Sequence, residues 1–566
     1  MKQKLLHYLA VLLFASTCLP LGAQVISPLE DKTNKARLEE IKSEAVQRFE
    51  ALKNRLEELS KQPDWSKSRY AKYYHNGKVY GVEAILPDGT VLVNEINSNI
   101  GAANTTRANR LWTGGILGLN LNGEGTQFGV WEAFDTTPEG QSVAAVLPTH
   151  QELNGRVTIM DGATLPGGRG SNHATHVAGT LAATGVVPDA KGMASAAQIL
   201  SYDVNNDAAE MAAAAANGLV ISQHSYGVNA SSSTEAFRGA YNVTAQVWDE
   251  IANAAPNYLM VKSAGNNGSD TPNPVFGNGY NVLTTSSNSK NVLVVANASI
   301  VNFYSGPSSV VIASSSSRGP TDDGRIKPDI TGAGVNIYSP IGNTTTSYNF
   351  LTGTSMSGPN ISGSAALLQQ HWRNLFSGVP FRSATLRGLI IHTADEAGAG
   401  PGPDYIYGWG LMNAERAARL MSHVAASGTQ HILQQNILNN GATFTTTVVA
   451  SGNEPLRFTI CWNDPAATGS NSPILNDFTP RLRNDLDLRI VDNVTNQVFF
   501  PWTMPYQQNP ANTNVATQVA LQNADNNRDN VEQVVVFTPI PGRSYTVTVT
   551  HKGSLVGGGT GVCVDR

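Results

Sequence analysis

Cysteine is scarce in this chain: three in 566 residues. That is too few for a disulfide framework or a cysteine-rich zinc site. If Cys18 is lost with an N-terminal leader, Cys461 and Cys563 remain, as one bridge or two free thiols. Charge is also sparse, at 14% of residues with a net charge of −5, against about 25% in ordinary soluble proteins. This excludes a polybasic nucleic-acid binder and an acidic disordered tail, so no nucleic-acid partner is expected. No apolar run reaches the roughly 18 residues that suggest a membrane span. Stability must come from a large buried core, and a monomer is expected.

What charge there is sits unevenly. Residues 29–63 hold eight acids and eight bases. There Leu38, Ile41, Ala45, Phe49, Leu52, Leu56 and Leu59 recur at three- and four-residue steps, which predicts an amphipathic helix. Before it, two lysines, an apolar run from Leu9 to Leu19 and the small pair Gly22-Ala23 follow the plan of a cleaved secretory signal over 1–23. The expected location is extracellular, periplasmic or cell envelope. Residues 24–110 read as an N-terminal extension or propeptide, with short strands near Lys78-Val79-Tyr80 and Thr90 to Val93.

From Gly125 to about Ala417, short apolar runs alternate with alanine-rich helical stretches. The runs are Phe128 to Trp131, Gln198 to Tyr202, Leu219 to Ser222, Leu259 to Lys262 and Val292 to Ala296. Uninterrupted apolar strands between helices predict an α/β body with a mostly parallel sheet covered on both faces. After Val424 the pattern becomes alternating strands with Asn/Asp-rich turns, predicting an all-β sandwich or jelly roll. The expected boundaries are 111–420 for the α/β domain and 421–566 for the β unit.

Two motifs carry chemistry. In Gly353-Thr354-Ser355-Met356-Ser357-Gly358-Pro359, small residues place Ser355 at a tight turn opening a helix. The helix N-terminus offers partial positive charge and free N–H groups beside a nucleophile. Ser355 would ordinarily be a helix cap, but Pro359 inside an apolar helix costs about 3 kcal/mol without compensation. In Asn172-His173-Ala174-Thr175-His176, His173 stands at a second helix mouth. The pair lacks the His-Glu-x-x-His metal pattern, and His173 suits a general base for Ser355.

With Ser-Ala-Gly-Asn-Asn-Gly around Asn266 and the run from Ser316 to Gly334, these motifs resemble the subtilisin-like serine proteases (subtilases, peptidase S8). The order acid, His, Asn, Ser matches as well. The resemblance implies a subtilisin-like fold, Ser355 as nucleophile, His173 as base and then acid, and Asn266 as side-chain donor to the oxyanion. It also implies that Ser225, Tyr226 and Gly227 pair with substrate backbone as an added strand. The Tyr407 to Ala414 run resembles the end of the catalytic domain.

The acid departs from the pattern. Where the family carries Asp after a buried strand, this chain has Glu132, with Asp135 three residues on. Either could orient the imidazole and stabilise its charged form. Glu132 is the first choice and Asp135 the alternative. His150 and His224 read as structural. Gly-rich surroundings predict a broad, uncharged side-chain preference.

In the C-terminal part, Trp462 to Pro465, Arg483 to Leu488 and Asn526 to Gln533 resemble a β-sandwich appended to certain bacterial alkaline subtilases. Their oxygens suit a structural Ca²⁺ or capping of strand turns; no metal residues are assigned and the chemistry requires no cofactor. The final run from Leu555 reads poorly as a sandwich edge, so the last strand is expected to be missing or altered. The expected function is a secreted serine endopeptidase acting on proteins or peptides. The alternative is a pseudoprotease scaffold weakened at its acid.

Overall fold

The computed structural model describes residues 47, 50–63, 74–75, 78–79, 82–85, 91–93, 98–269, 273–426, 428, 431–557 and 559–565. The expected leader and most of the amphipathic helix lie outside the described residues. The helix is described over 50–60, where it buries Leu52 and Leu56. Two antiparallel hairpins follow, pairing Tyr74–His75 with Lys78–Val79 and Val82–Ile85 with Val91–Val93.

The body is built on seven strands: β1 (Gln127–Glu132), β2 (Val157–Ile159), β3 (Gln198–Asp203), β4 (Ile221–His224), β5 (Leu259–Ser263), β6 (Leu293–Ala298) and β7 (Ile330–Ala333). They form one sheet in the order β7-β6-β5-β4-β1-β3-β2, every pairing parallel. The sequence reading missed β2 and β7. With three residues, one exposed and two half-buried, β2 lacks the apolar run that marks a strand.

Seven helices follow the same numbering: α1 (Asn99–Thr106), α2 (Asn172–Ala182), α3 (Asp207–Ala216), α4 (Val243–Ala254), α5 (Thr354–Leu375), α6 (Ser383–Thr393) and α7 (Ala414–Ala425). The period-2 alternation of strand side chains divides them between two faces. Phe128, Val130, Leu259 and Val261 join Ala178, Leu181, Ile361 and Leu368 of α2 and α5 in one core. Trp131, Met260 and Val294 join Met211 of α3 and Trp248 of α4 in the other. Burial on both faces explains why β5 and β6 are buried at every position.

Successive strands depart from β1 in opposite directions, β3 on one side and β4 on the other. Such a switch point opens a crevice at the carboxyl ends of the strands, where α/β sheets bind ligands. Glu132 closes β1 at that crevice. A hairpin, β8 (Ile337–Pro340) with β9 (Tyr348–Leu351), leads into α5.

The C-terminal strands are β10 (Leu433–Asn439), β11 (Phe444–Val449), β12 (Leu456–Trp462), β13 (Asp485–Asp492), β14 (Val498–Phe499), β15 (Val531–Val536), β16 (Ser544–Lys552) and β17 (Gly559–Asp565). They make two antiparallel sheets, β10-β17-β12-β15 and β11-β16-β13-β14. Phe458, Ile460 and Val534 of the first share a core with Leu486, Leu488 and Val547 of the second. The expectation of a missing or altered last strand is corrected here. Residues 559–565 lie inside the first sheet, paired with β10 on one side and β12 on the other. The glycines of this segment hid the strand, because period-2 reading depends on side chains.

Candidate active site

Glu132 is buried, at 1% exposure, and its Oε2 lies 2.8 Å from Nδ1 of His173. A carboxylate only accepts, so Nδ1 carries the hydrogen and Nε2 is left with its lone pair. Burial opposes charging of the imidazole. The Glu132 charge and hydrogen bond, helped by the Asp135 charge, nevertheless hold the His173 pKa above its ordinary value.

His173 is placed by the start of α2. Ser171 caps the helix, its Oγ accepting from the Ala174 N–H at 3.0 Å. Asp135 works at the same helix end: its Oδ2 accepts from the N–H groups of Asn172 at 3.0 Å and His173 at 3.3 Å. Negative charge is favourable there. The two carboxylates left open by the sequence thus take different positions, Glu132 on the imidazole and Asp135 on the backbone of the helix that carries it.

Ser355 is the second residue of α5, and its hydroxyl donates to the Ser225 carbonyl at 3.2 Å. Pro359 explains part of this arrangement. Lacking an N–H, it cannot bond to the carbonyl four residues earlier, which belongs to Ser355. That carbonyl accepts instead from Ser225 Oγ at 3.1 Å. Ser225 and Ser355 are therefore joined reciprocally. Among the described residues no hydrogen bond joins Ser355 to His173.

Asn266 follows Gly265, whose φ of +104° is a conformation that favours glycine. Asn266 Oδ1 accepts from the Thr354 N–H at 2.9 Å and the Thr354 hydroxyl at 3.1 Å. With its oxygen clasped by the residue before Ser355, the amide has Nδ2 to offer as a donor. Ser225, Tyr226, Gly227, Asn266 and Ser355 all line one cavity of 270 Å³. A larger cavity of 570 Å³, lined by His392, Arg416 and Arg457, contains none of these residues.

Lys262 also lines the smaller cavity. It went unread because it follows the apolar run of β5; the signal was a cation inside a buried strand. Burial lowers its pKa to about 8, against the opposing pull of Glu132 and Asp207.

The other histidines singled out by the sequence have structural partners. His176 Nε2 bonds the carbonyls of Ile337 at 2.9 Å and Asn349 at 3.2 Å, and burial brings its pKa down to about 3. His150 Nε2 bonds the Ser347 carbonyl at 2.9 Å. His224, fully buried, bonds Ser222 Oγ at 2.8 Å and stacks on Trp131.

Several of the oxygens that the sequence offered to calcium are engaged by donors, while Asp485 Oδ1 and Glu532 Oε1 are buried without a hydrogen-bond partner among the described residues. Asp464 meets the Lys290 ammonium and the N–H groups of Arg483 and Asn484. Asp487 pairs with Lys552 and Arg489, and Asp529 accepts from the Ile326 N–H and from Gln507 and Asn526. Among the described residues no group of three or more His, Cys, Asp or Glu is placed to hold a metal ion.

Residues 150–410 match the model of the Subtilase family, a span that includes His173, Asn266 and Ser355 and begins after Glu132. The chain is 29% identical over 307 residues to Subtilisin BL of Lederbergia lenta, covering 50% of this chain and 92% of that protein. It is 28% identical over 307 residues to an alkaline protease of Shouchella clausii, covering 50% of this chain and 65% of that one. Among solved structures, the self-cleaved protease domain of PatA aligns at 20% identity over 52% of this chain and 96% of that one, with a TM-score of 0.38. The match supports a serine peptidase at family level, and the α/β body of this chain is similar to the subtilase family across residues 150–410.

Proposed function

We propose that the chain is an exported serine endopeptidase that hydrolyses peptide bonds through an acyl-enzyme on Ser355. The observation that carries this is the 2.8 Å hydrogen bond from His173 to Glu132, whose next residue, Ala133, lines the cavity that Ser355 and Asn266 also line. It supports Glu132 as the residue that orients the imidazole and stabilises its protonated form.

In the first step the Ser355 hydroxyl turns from the Ser225 carbonyl toward His173. Its oxygen attacks the peptide carbonyl while Nε2 takes its proton. The charge that develops on the carbonyl oxygen is met by Asn266 Nδ2 and the Ser355 N–H. Collapse breaks the C–N bond, and His173 returns the proton to the leaving amine. Water, deprotonated by His173, then attacks the ester, and Ser355 leaves with the proton. Helix polarity at α5 favours the oxyanion, and the Thr354 clasp fixes the donor beforehand.

The amphipathic segment before the body is proposed as a propeptide or extension, and the leader composition over 1–23 supports export. Protein and peptide substrates follow from the reaction class.

A fluorophosphonate probe tests the proposal. The folded chain is expected to be labelled at Ser355, with labelling lost in Ser355→Ala and His173→Ala. A folded chain that takes no label would favour a binding role for the same fold.

A further inference from the structure

Among the described residues three lysines of the α/β body are buried, and the ammonium groups of two of them are paired. Lys290 meets Asp464 and the carbonyls of Pro465 at 2.6 Å and Arg481 at 2.9 Å. Lys327 meets Asp329 at 2.6 Å and the Val292 carbonyl at 2.7 Å. Lys262 is different. It is 1% exposed, yet among the described residues its ammonium makes no hydrogen bond and no ion pair. Its ring contact is Tyr226, with Nζ 4.9 Å from the centroid. Glu132 and Asp207 act on it through space, but neither pairs with it. A buried charge normally has a partner, because desolvation without one is costly.

Lys262 lines the cavity beside the nucleophile. Lys262 is the charged residue among the described residues that line it. Gly227 forms the wall at that point, and a methyl group there would lie 3.4 Å from Nζ. With glycine at 227, no side chain stands against the ammonium from that wall. The cavity shares Asn266 and Ser355 with the proposed reacting centre. With a pKa of about 8, the Lys262 ammonium is mostly charged at neutral pH.

We infer that Lys262 makes this cavity a recognition pocket for a carboxylate side chain, so that the peptidase cleaves after acidic residues. The inference rests on the proposed peptidase reading and replaces the broad, uncharged preference expected from the glycine-rich sequence around the site. It is a choice by charge completion: a substrate glutamate or aspartate supplies the missing partner, and an isosteric amide does not.

The test is a panel of peptide p-nitroanilides identical except for Glu, Asp, Gln, Phe or Lys before the scissile bond. Glu is expected to exceed Gln in kcat/KM by on the order of 10²-fold, since a site built for a polar partner rejects its isostere strongly. In Lys262→Met, shown to be folded by its circular dichroism, the Glu-to-Gln ratio is expected to fall close to one. Wild-type turnover that is equal on Glu and Gln, or greatest on Phe or Lys, would overturn this inference alone. No turnover of any member by a folded chain that also takes no fluorophosphonate would overturn the peptidase reading, and this inference with it.

Discussion

Glu132 and His173 are joined by a 2.8 Å hydrogen bond at the end of β1, although forty residues of chain, including all of β2, lie between them. The extra methylene of glutamate is absorbed within a fully buried strand end, with Trp131 before it packed on Tyr202. The carboxylate's other oxygen, Oε1, is buried without a hydrogen-bond partner among the described residues. All of its directional bonding thus goes to the imidazole.

This pairing has a pH consequence. Burial works against the charged imidazole, but the Glu132 charge and hydrogen bond, with Asp135 behind them, raise the His173 pKa above the ordinary value of about 6.5. The base must be neutral to accept the serine proton. Activity is therefore present above the raised pKa and lost as pH falls through it. A pH profile of kcat/KM should show an acidic limb centred above about 6.5, and Glu132→Gln should move that limb downward. A limb unchanged in Glu132→Gln would contradict the assignment.

The clasp of Asn266 by Thr354 predicts a split between binding and turnover. Asn266→Ala removes the amide donor and should lower kcat by roughly 10²–10³ with KM little changed. Thr354→Val keeps the backbone N–H to Asn266 Oδ1 but loses the hydroxyl at 3.1 Å. It should give a smaller fall, also in kcat. Steady-state kinetics of both variants checks this; a loss confined to KM would count against an oxyanion role.

Stability should depend on a contact far from the chemistry. Lys290 of the body and Asp464 of the C-terminal unit are both fully buried and paired. Asp464→Ala leaves that ammonium uncompensated and should lower stability by about 3–5 kcal/mol. Denaturant unfolding measures it. A change within about 0.5 kcal/mol, the range of an ordinary surface substitution, would show that the pair does not couple the two parts.

Much of this could be read from the chain because its signals were local. Continuous apolar runs marked β1, β5 and β6, and the small residues around Ser355 marked a helix start. The expected roles of His173 and Asn266 came from motif order. What stayed hidden depended on distance through space. Telling the position of Glu132 from that of Asp135 needed α2 in place, because Glu132 ends β1, Asp135 opens a separate two-residue strand, and both meet the same helix. The Asn266–Thr354 clasp and the Ser225–Ser355 exchange join residues about ninety and 130 positions apart. Lys262 was visible as a lysine, but its lack of a partner could be seen only once every neighbour was placed. The strand Gly559–Asp565 was hidden because its glycines carry no period.

The central claim is that Glu132, not Asp135, completes the triad with His173 and Ser355. Measuring kcat/KM for Glu132→Gln beside Asp135→Asn tests it most directly. Glu132→Gln should lose up to about 10⁴ in rate, as expected when the imidazole loses its orienting carboxylate. Asp135→Asn should keep turnover within about tenfold of wild type and lose only about 0.5–2 kcal/mol of stability, the scale of a helix-end contact. Near wild-type turnover in Glu132→Gln, with activity abolished in a folded Asp135→Asn, would contradict the account.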